Sequence, residues 1–362
     1  MRWLSKWGVT AAWSVLTALG LLLCANSGQA ASASSWLTGV VKTDSGGVVA
    51  GAAVSAKLEG STITTSVFTD EHGNYIFPKT LAAGKYRAWA QTEGYETGHA
   101  EATLAGIVHQ DFTLKKLKDF SKQFTGAEYL EALPEDTPHH RRMKDIFENN
   151  CTGCHEASYI LQNRFDERGW DAVITLMSKL ENGGGNYGGP DQAPFPTVNY
   201  YKKELAAYLA EMRGPHASPM KLQPHSGPTG AAAMTVITEY DVPIADSEKY
   251  SSPNGFGTND GSDWSLGTPS RLNGVGGVHD TQMDWNGNLW FTYAQPSFNR
   301  SVGMIDATTG KLTTIKVPGF NGMAAFTHGL AIDHAGMLWF TGRARESSTA
   351  ASGAWQESIP IR

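Results

Sequence analysis

From Trp36 onward, apolar and polar positions alternate in short runs, as in Leu37-Thr38-Gly39-Val40-Val41 and Ala53-Val54-Ser55-Ala56. A period of two marks half-buried strands. Asp44-Ser45-Gly46-Gly47, Asp70-Glu71-His72-Gly73-Asn74 and Ala83-Gly84-Lys85 interrupt the runs with turn formers. The pattern predicts a small antiparallel β-sandwich over 36–116, with Tyr75, Phe77, Tyr86 and Trp89 alternating into its core. Beyond Phe120 the period lengthens to that of amphipathic helices. Met143, Ile146, Phe147 and Asn150 fall on one stripe, Trp170, Val173, Ile174, Met177 and Leu180 on a second, and Tyr201, Leu205, Tyr208, Leu209 and Met212 on a third. A helix-hostile loop, Gly183 to Pro190 and on through Pro194 and Pro196, separates the last two. Residues 120–213 therefore read as an all-α unit.

Residues 214–233 carry Pro215, Pro219, Pro224 and Pro228 among small polar residues, the composition of a linker. An internal repeat follows. Residues 279–292 align without a gap with 328–341, at an offset of 49, and seven of the fourteen positions are identical. The shared residues are His279/His328, Asp284/Asp333, Gly287/Gly336 and the run Leu289-Trp290-Phe291-Thr292 against Leu338-Trp339-Phe340-Thr341. An Asp-x-x-Gly turn between short strands, repeated at this period, is a blade signature. Residues 235–362 hold about three blades at most, whereas a closed ring needs about four or more. The stretch from Ala344 to Arg362 offers no evident next strand, so the expectation is a partial propeller. Truncation is the favoured cause and completion by another chain the alternative.

Composition narrows the class. With 362 residues, 40 Gly and 16 Pro, the chain is globular, turn-rich and long enough for about two or three domains. A net charge of −6 gives no overall support for nucleic acid as a partner. Arg2 and Lys6 precede a 16-residue apolar stretch from Val9 to Cys24. Small residues at Gly28-Gln29-Ala30 or Ala31-Ser32-Ala33 then offer cleavage sites, so residues 1–30 read as a signal peptide. A spanning helix needs roughly 20 residues, and lipidation at Cys24 is the weaker option because Leu23 precedes it where a small residue is usual. Export to the periplasm or beyond is expected, with no transmembrane span after cleavage. Cleavage also removes one of the three cysteines, leaving Cys151 and Cys154. Two cysteines three positions apart make no disulfide framework; they serve one local purpose.

Cys151-Thr152-Gly153-Cys154-His155 is the C-x-x-C-H attachment signature of c-type haem. Two thiols on one turn can each bond a porphyrin vinyl group, and the adjacent imidazole then sits beneath the iron. A thioredoxin-like pair would expect a βαβ setting, and a zinc site would need further Cys or His at ligand spacing. One covalent haem c is therefore expected on Cys151, Cys154 and His155. The sixth ligand stays open between two roles for Met177, iron ligand or gap-filler in the core. Met212, Met220 and His139 or His140 compete with it for the iron, and the sixth position could also stand open. His279 and His328 read as strand-end markers, Asp70, Glu71 and His72 as a turn rather than a calcium site, and His139-His140-Arg141-Arg142 as a solvated face.

Three resemblances follow from these residues. Gly39-Val40-Val41 with Asp44 and Gly47, Thr69 to Tyr75, Leu81 to Tyr86 and Gly94-Tyr95 resemble the carboxypeptidase regulatory-like domain, a transthyretin-like sandwich. It serves as a spacer, a docking unit or a carbohydrate-binding-like fold. The segment around Cys151–His155 resembles a class I cytochrome c domain, which implies a monohaem electron carrier. A departure is that the loop Gly183 to Val198 contains no Met, where the family usually places its axial ligand. The repeat, with Gly303 to Asp306 and Thr309-Gly310-Lys311, resembles the streptogramin lyase-type β-propeller, without the paired His and Glu of those metal-assisted lyases. Together they imply a periplasmic electron-transfer protein, partner or subunit of a periplasmic dehydrogenase, and a carrier more than a catalyst. Two further functions fit the same resemblances: a propeller-borne lyase or oxidoreductase with haem as electron acceptor, and a glycan- or surface-binding module with accessory haem.

Overall fold

The computed structural model describes residues 36–152, 156–178, 196–216, 218–242, 263–266, 278–293, 301–317, 326–343 and 354–360. Residues 1–30, read above as a signal peptide, together with Cys154, His155, Leu180 and residues 183–190, lie outside them.

Residues 36–114 form two facing sheets. One is built on β1 (Trp36–Thr43), which pairs antiparallel with β4 (Asn74–Ile76) and parallel with β7 (Ile107–His109) and β8 (Phe112–Leu114). The other contains β2 (Ala53–Leu58), β3 (Ile63–Phe68), β5 (Gly84–Gln91) and β6 (Gly98–Leu104), all antiparallel. Alternation works as the sequence predicts: Leu37 and Val41 point inward from β1 to meet Val54, Tyr75, Phe77, Tyr86, Ala88 and Leu114. Burying that apolar surface is the main stabilising term. Trp89 departs from the expectation. It is fully buried, yet it lies on the opposite face of β5 from Tyr86 and Ala88, outside the sandwich core. Tyr86 and Trp89 are an odd step apart, so a period of two must place them on opposite faces. That outer face is covered because Asp263–Leu266 docks on it: Trp264 donates its backbone N–H to Gln91 Oε1 at 3.0 Å, and Asp263 meets His99 at 3.0 Å.

The helical unit follows, with α1 (Gly126–Glu131), α2 (Pro138–Cys151), α3 (Ala157–Leu161), α4 (Glu167–Met177) and α5 (Pro196–Arg213). Local chemistry sets the starts. Thr125 and Glu128 form a reciprocal capping box on α1, Thr137 caps α2 ahead of Pro138, and Asp166 caps α4 through Gly169 N–H at 2.8 Å. The apolar stripes converge on one core containing Met143, Phe147, Trp170, Leu205, Tyr208 and Met212. Pro196, read as loop, instead opens α5. A proline lacks only an N–H that the first turn leaves unpaired anyway.

The Pro-rich stretch is a docked strap. Arg164 Nε donates to Gly214 O at 2.6 Å, Met220 is buried in the helical core, and His225 N–H donates to Glu93 Oε2 at 2.7 Å. Proline deprives a chain of donors, but its carbonyls and neighbouring side chains still dock. The strap ends in β9 (Ile237–Tyr240), which pairs antiparallel with β3 and extends the sandwich sheet to the order β6-β5-β2-β3-β9. This strand falls inside the 235–362 span that the sequence groups with the repeat.

The repeat folds into two antiparallel meanders. The first is β10 (Val278–Met283), β11 (Leu289–Tyr293), β12 (Val302–Ile305) and β13 (Leu312–Ile315); the second is β14 (Phe326–Ile332), β15 (Met337–Arg343) and β16 (Ala354–Pro360). β16 corrects the expectation that no strand follows Ala344: it pairs with β15 from Ala354↔Arg343 to Pro360↔Met337. Small residues between Ser347 and Gly353 hide the approach to it. Trp290, Val302, Val317, Leu338 and Phe340 pack between the two meanders, and among the described residues no ring closes.

Candidate functional site

The cysteine motif starts where α2 stops. Met143, Ile146 and Phe147 fasten that helix to the core, and Cys151 is its last residue, half-buried against the same cluster. Thr152 Oγ1 donates to Glu148 O at 2.7 Å, closing the final turn. A few residues beyond Thr152 the chain is again buried, at Ala157, Ser158 and Leu161 of α3. The motif thus spans two points anchored in one core. Cys154 and His155, between those anchors, lie outside the described residues.

Among the described residues, Trp170 Nε1 and Tyr208 OH in this core have no hydrogen-bond partner. A buried donor left unpaired costs about 1–3 kcal/mol. Burial also lifts the Tyr208 hydroxyl well above the usual phenol range, aided by Glu211 and Glu135. The candidate axial ligands separate by location. Met212 and Met220 are packed in the core, whereas Met177 is half-buried at the end of α4, beyond the buried pair Trp170 and Ile174. His140 is held between Asp136 (2.6 Å) and Glu211 (3.4 Å), and His139 lies 4.0 Å from Glu204. Both histidines serve the α2–α5 crossing.

In the meanders the sequence repeat is also a repeat of bonds. Asp284 Oδ1 accepts from the N–H groups of Asn286 and Asn288, each at 2.9 Å, and Asp284 Oδ2 from Trp290 Nε1 at 3.0 Å. Asp333 does the same for Ala335, Met337 and Trp339 at 2.9, 2.8 and 2.9 Å. The Trp339 indole and the Met337 amide hold the Asp333 carboxyl below its ordinary range. Gly287 and Gly336 close both turns at φ 85° and 78°, where a side chain would be strained. Asp70 makes the same kind of turn in the sandwich, with the His72 and Asn74 N–H groups as donors at 2.8 Å. His279 in β10 and His328 in β14 meet with ring centroids 3.6 Å apart and planes tilted by 38°, so the repeated histidines touch as well as marking strand positions.

One cluster escapes sequence inspection. Glu93, in the turn between β5 and β6, Glu128 of α1 and His225 of the strap bring their ligand-type atoms within 4.8 Å of one another. Thr125-x-x-Glu128 is a recognisable capping box, but nothing local ties it to residues 35 positions before and 97 positions after.

Residues 37–115 match the carboxypeptidase regulatory-like domain family, and the fold of this segment is the expected sandwich. No curated protein matches the sequence. Among solved structures the chain is similar to the Bacillus anthracis TIE protein (16% identity, 23% of this chain and 16% of that one, TM-score 0.19). It is also similar to a type II cohesin–X-dockerin complex from Acetivibrio cellulolyticus (19%, 22% and 56%, TM-score 0.18). Chlorocatechol 1,2-dioxygenase from Pseudomonas putida gives 14%, 22% and 59%, with a TM-score of 0.19. The chain spans less than two thirds of each of these. No helix among the described residues is long and apolar enough to cross a membrane.

Proposed function

We propose that the protein is an exported c-type cytochrome that carries one covalent haem and transfers electrons, as partner or subunit of a periplasmic dehydrogenase. The observation that carries this reading is the C-x-x-C-H motif, slung between the end of α2 and the start of α3 on a single helical core. The residues present fit the group. Cys151 and Cys154 would hold it through thioether bonds and His155 would supply the proximal imidazole. The unpaired Trp170 Nε1 is a donor that a carboxylate-bearing group would satisfy. When bound, haem supplies a one-electron centre, while the chain sets its burial and axial ligation. The half-buried Met177 at the end of α4 suits an axial ligand better than a core filler. The carboxypeptidase regulatory-like sandwich would act as the scaffold on which the helical unit and the meanders are mounted.

The test is expression in a host competent for c-type maturation. Haem staining should persist on a denaturing gel, and Cys151→Ala with Cys154→Ala should abolish it. A purified, matured protein without a stained band would end this proposal. A second reading, a catalytic site on propeller-like blades with haem as acceptor, is favoured by the contact between His279 and His328. Turnover of a reducible or cleavable substrate that His328→Ala abolishes, with the haem spectrum unchanged, would select it.

A further inference from the structure

The turn between β5 and β6 is where three parts of the chain meet. Gln123, just before α1, accepts from Gly94 N–H at 2.8 Å and donates to Tyr95 O at 2.7 Å. Glu128 of α1 and Glu93 of the turn bring carboxyl oxygens within 4.8 Å of each other. His225 of the strap gives its backbone N–H to Glu93 Oε2 at 2.7 Å and places Nδ1 3.0 Å from Glu128 Oε1. Glu131 also faces the cluster, 3.7 Å from His225 Nε2. Two carboxyl groups this close repel when both are ionised, which favours the state in which one keeps its proton. The donor set resembles a cation site, but three of its four carboxyl oxygens already have polar partners, Glu128 Oε1 in His225 Nδ1 and the other two as follows. Glu128 Oε2 accepts from Thr125 N–H at 2.6 Å and Thr125 Oγ1 at 2.7 Å, and Glu93 Oε2 accepts from His225. A proton suffices to hold the pair.

We propose that Glu93, Glu128 and His225 form a proton-held clasp that fastens the Pro-rich strap and α1 to the sandwich, and that raising the pH releases the strap. The proton sits on Glu93. Burial first, and then the neighbouring Glu128, push its carboxyl up to about 8. Burial acts on Glu128 in the same upward sense, but Glu93, Thr125 and His225 outweigh it and hold that carboxyl low. The sign follows from linkage. A carboxyl that binds its proton more tightly in the clasped state stabilises that state fully below its ordinary value of 4.5. The stabilisation declines as pH rises toward about 8 and is gone above it. Release would be felt in the helical core, because Met220 of the same strap is packed there.

Lys221 supplies the readout, an exposed tryptic site inside the strap next to Met220. Cleavage of the full mature chain after Lys221 is measured at pH 6 and pH 9 and divided by the rate on an unstructured peptide of the same sequence. The wild-type ratio should rise at least about tenfold between the two values. In Glu93→Gln it should stay level, because an amide donates to Glu128 and accepts from His225 with no proton to lose. Glu128→Gln removes the partner carboxylate and should flatten the profile in part, burial still acting on Glu93, which keeps the test usable should one variant fail to fold. An unchanged pH response in both variants overturns the proposal. So does a wild-type rate that chelator or added Zn²⁺ alters at constant pH, since a cation rather than a proton would then bridge the pair.

Discussion

A single residue, Met177, decides how the cytochrome proposal is finished. Its neighbours on the α4 stripe, Trp170 and Ile174, are buried, whereas Met177 is half-exposed at the helix end. Axial ligands shift haem potentials over a range of about 0.8 V, and a thioether raises them relative to a second imidazole or water. Replacing Met177 with Ala in the matured protein should therefore lower the midpoint potential by something on the order of 0.1 V, a part of that range. Redox titration of the visible spectrum checks this, and an unshifted midpoint would return Met177 to a packing role. At this scale the sequence is legible where chemistry is local. The C-x-x-C-H spacing, the Asp166 cap and the paired Asp284 and Asp333 turns depend on residues within a few positions of one another. Trp89 escapes that logic, although its odd separation from Tyr86 already sets its face. Aromatic residues suggest core, but a wide outer face that another segment covers will bury them equally well.

Among the elements, β9 is the least foreseeable and the most consequential. Its four residues pair with β3 in register from Ile63↔Tyr240 to Ser66↔Ile237, and they belong to a stretch well over a hundred positions downstream. Without β9, β3 becomes the sheet edge, presenting unpaired N–H and C=O groups that template association. A fragment of residues 36–213 should therefore self-associate in a concentration-dependent way, while 36–242, which restores β9 and the strap, stays monomeric. Sedimentation velocity at several concentrations distinguishes the two, and a monomeric shorter fragment would show that β3 tolerates exposure. Periodicity locates α2, α4 and α5 because each carries its stripe over three or more turns. It cannot find β9, because four residues of Ile-Thr-Glu-Tyr acquire meaning only from the strand they meet. α3, five residues long, escapes for a related reason: one turn is too short for a period.

Across the whole molecule the sandwich is the hub. The helical unit hangs from its β5–β6 turn through Gln123 and Glu128, and the strap runs back across it. The first meander rests on the β3–β9 edge: Thr62 Oγ1 donates to Gly310 O at 2.9 Å and Tyr240 OH donates to Ala307 O at 2.8 Å. Composition alone makes residues 214–233 the weakest point, the first place a protease should cut. The structure reverses that order, because Arg164, Met220, His225 and the Gly51–Gly227 backbone approach hold the strap at successive points. At pH 6, where the clasp is closed, limited tryptic digestion should leave Lys221 intact while sites beyond the strap are consumed. Gly310 provides the complementary perturbation. It sits at φ +69° with Thr62 and Ile63 packed where a Cβ would go, so Gly310→Ala adds about 1–2 kcal/mol of backbone strain to a steric clash. That variant should expose the meanders to faster digestion and leave cleavage at Lys221 unchanged, since the strap near Lys221 is held at the β5–β6 turn through His225 and the meander at the β3–β9 edge. Peptide mapping of time points separates the outcomes. Early cleavage at Lys221 in the wild type would return the strap to a free linker, and coupled cleavage in Gly310→Ala would mean the two attachments give way together.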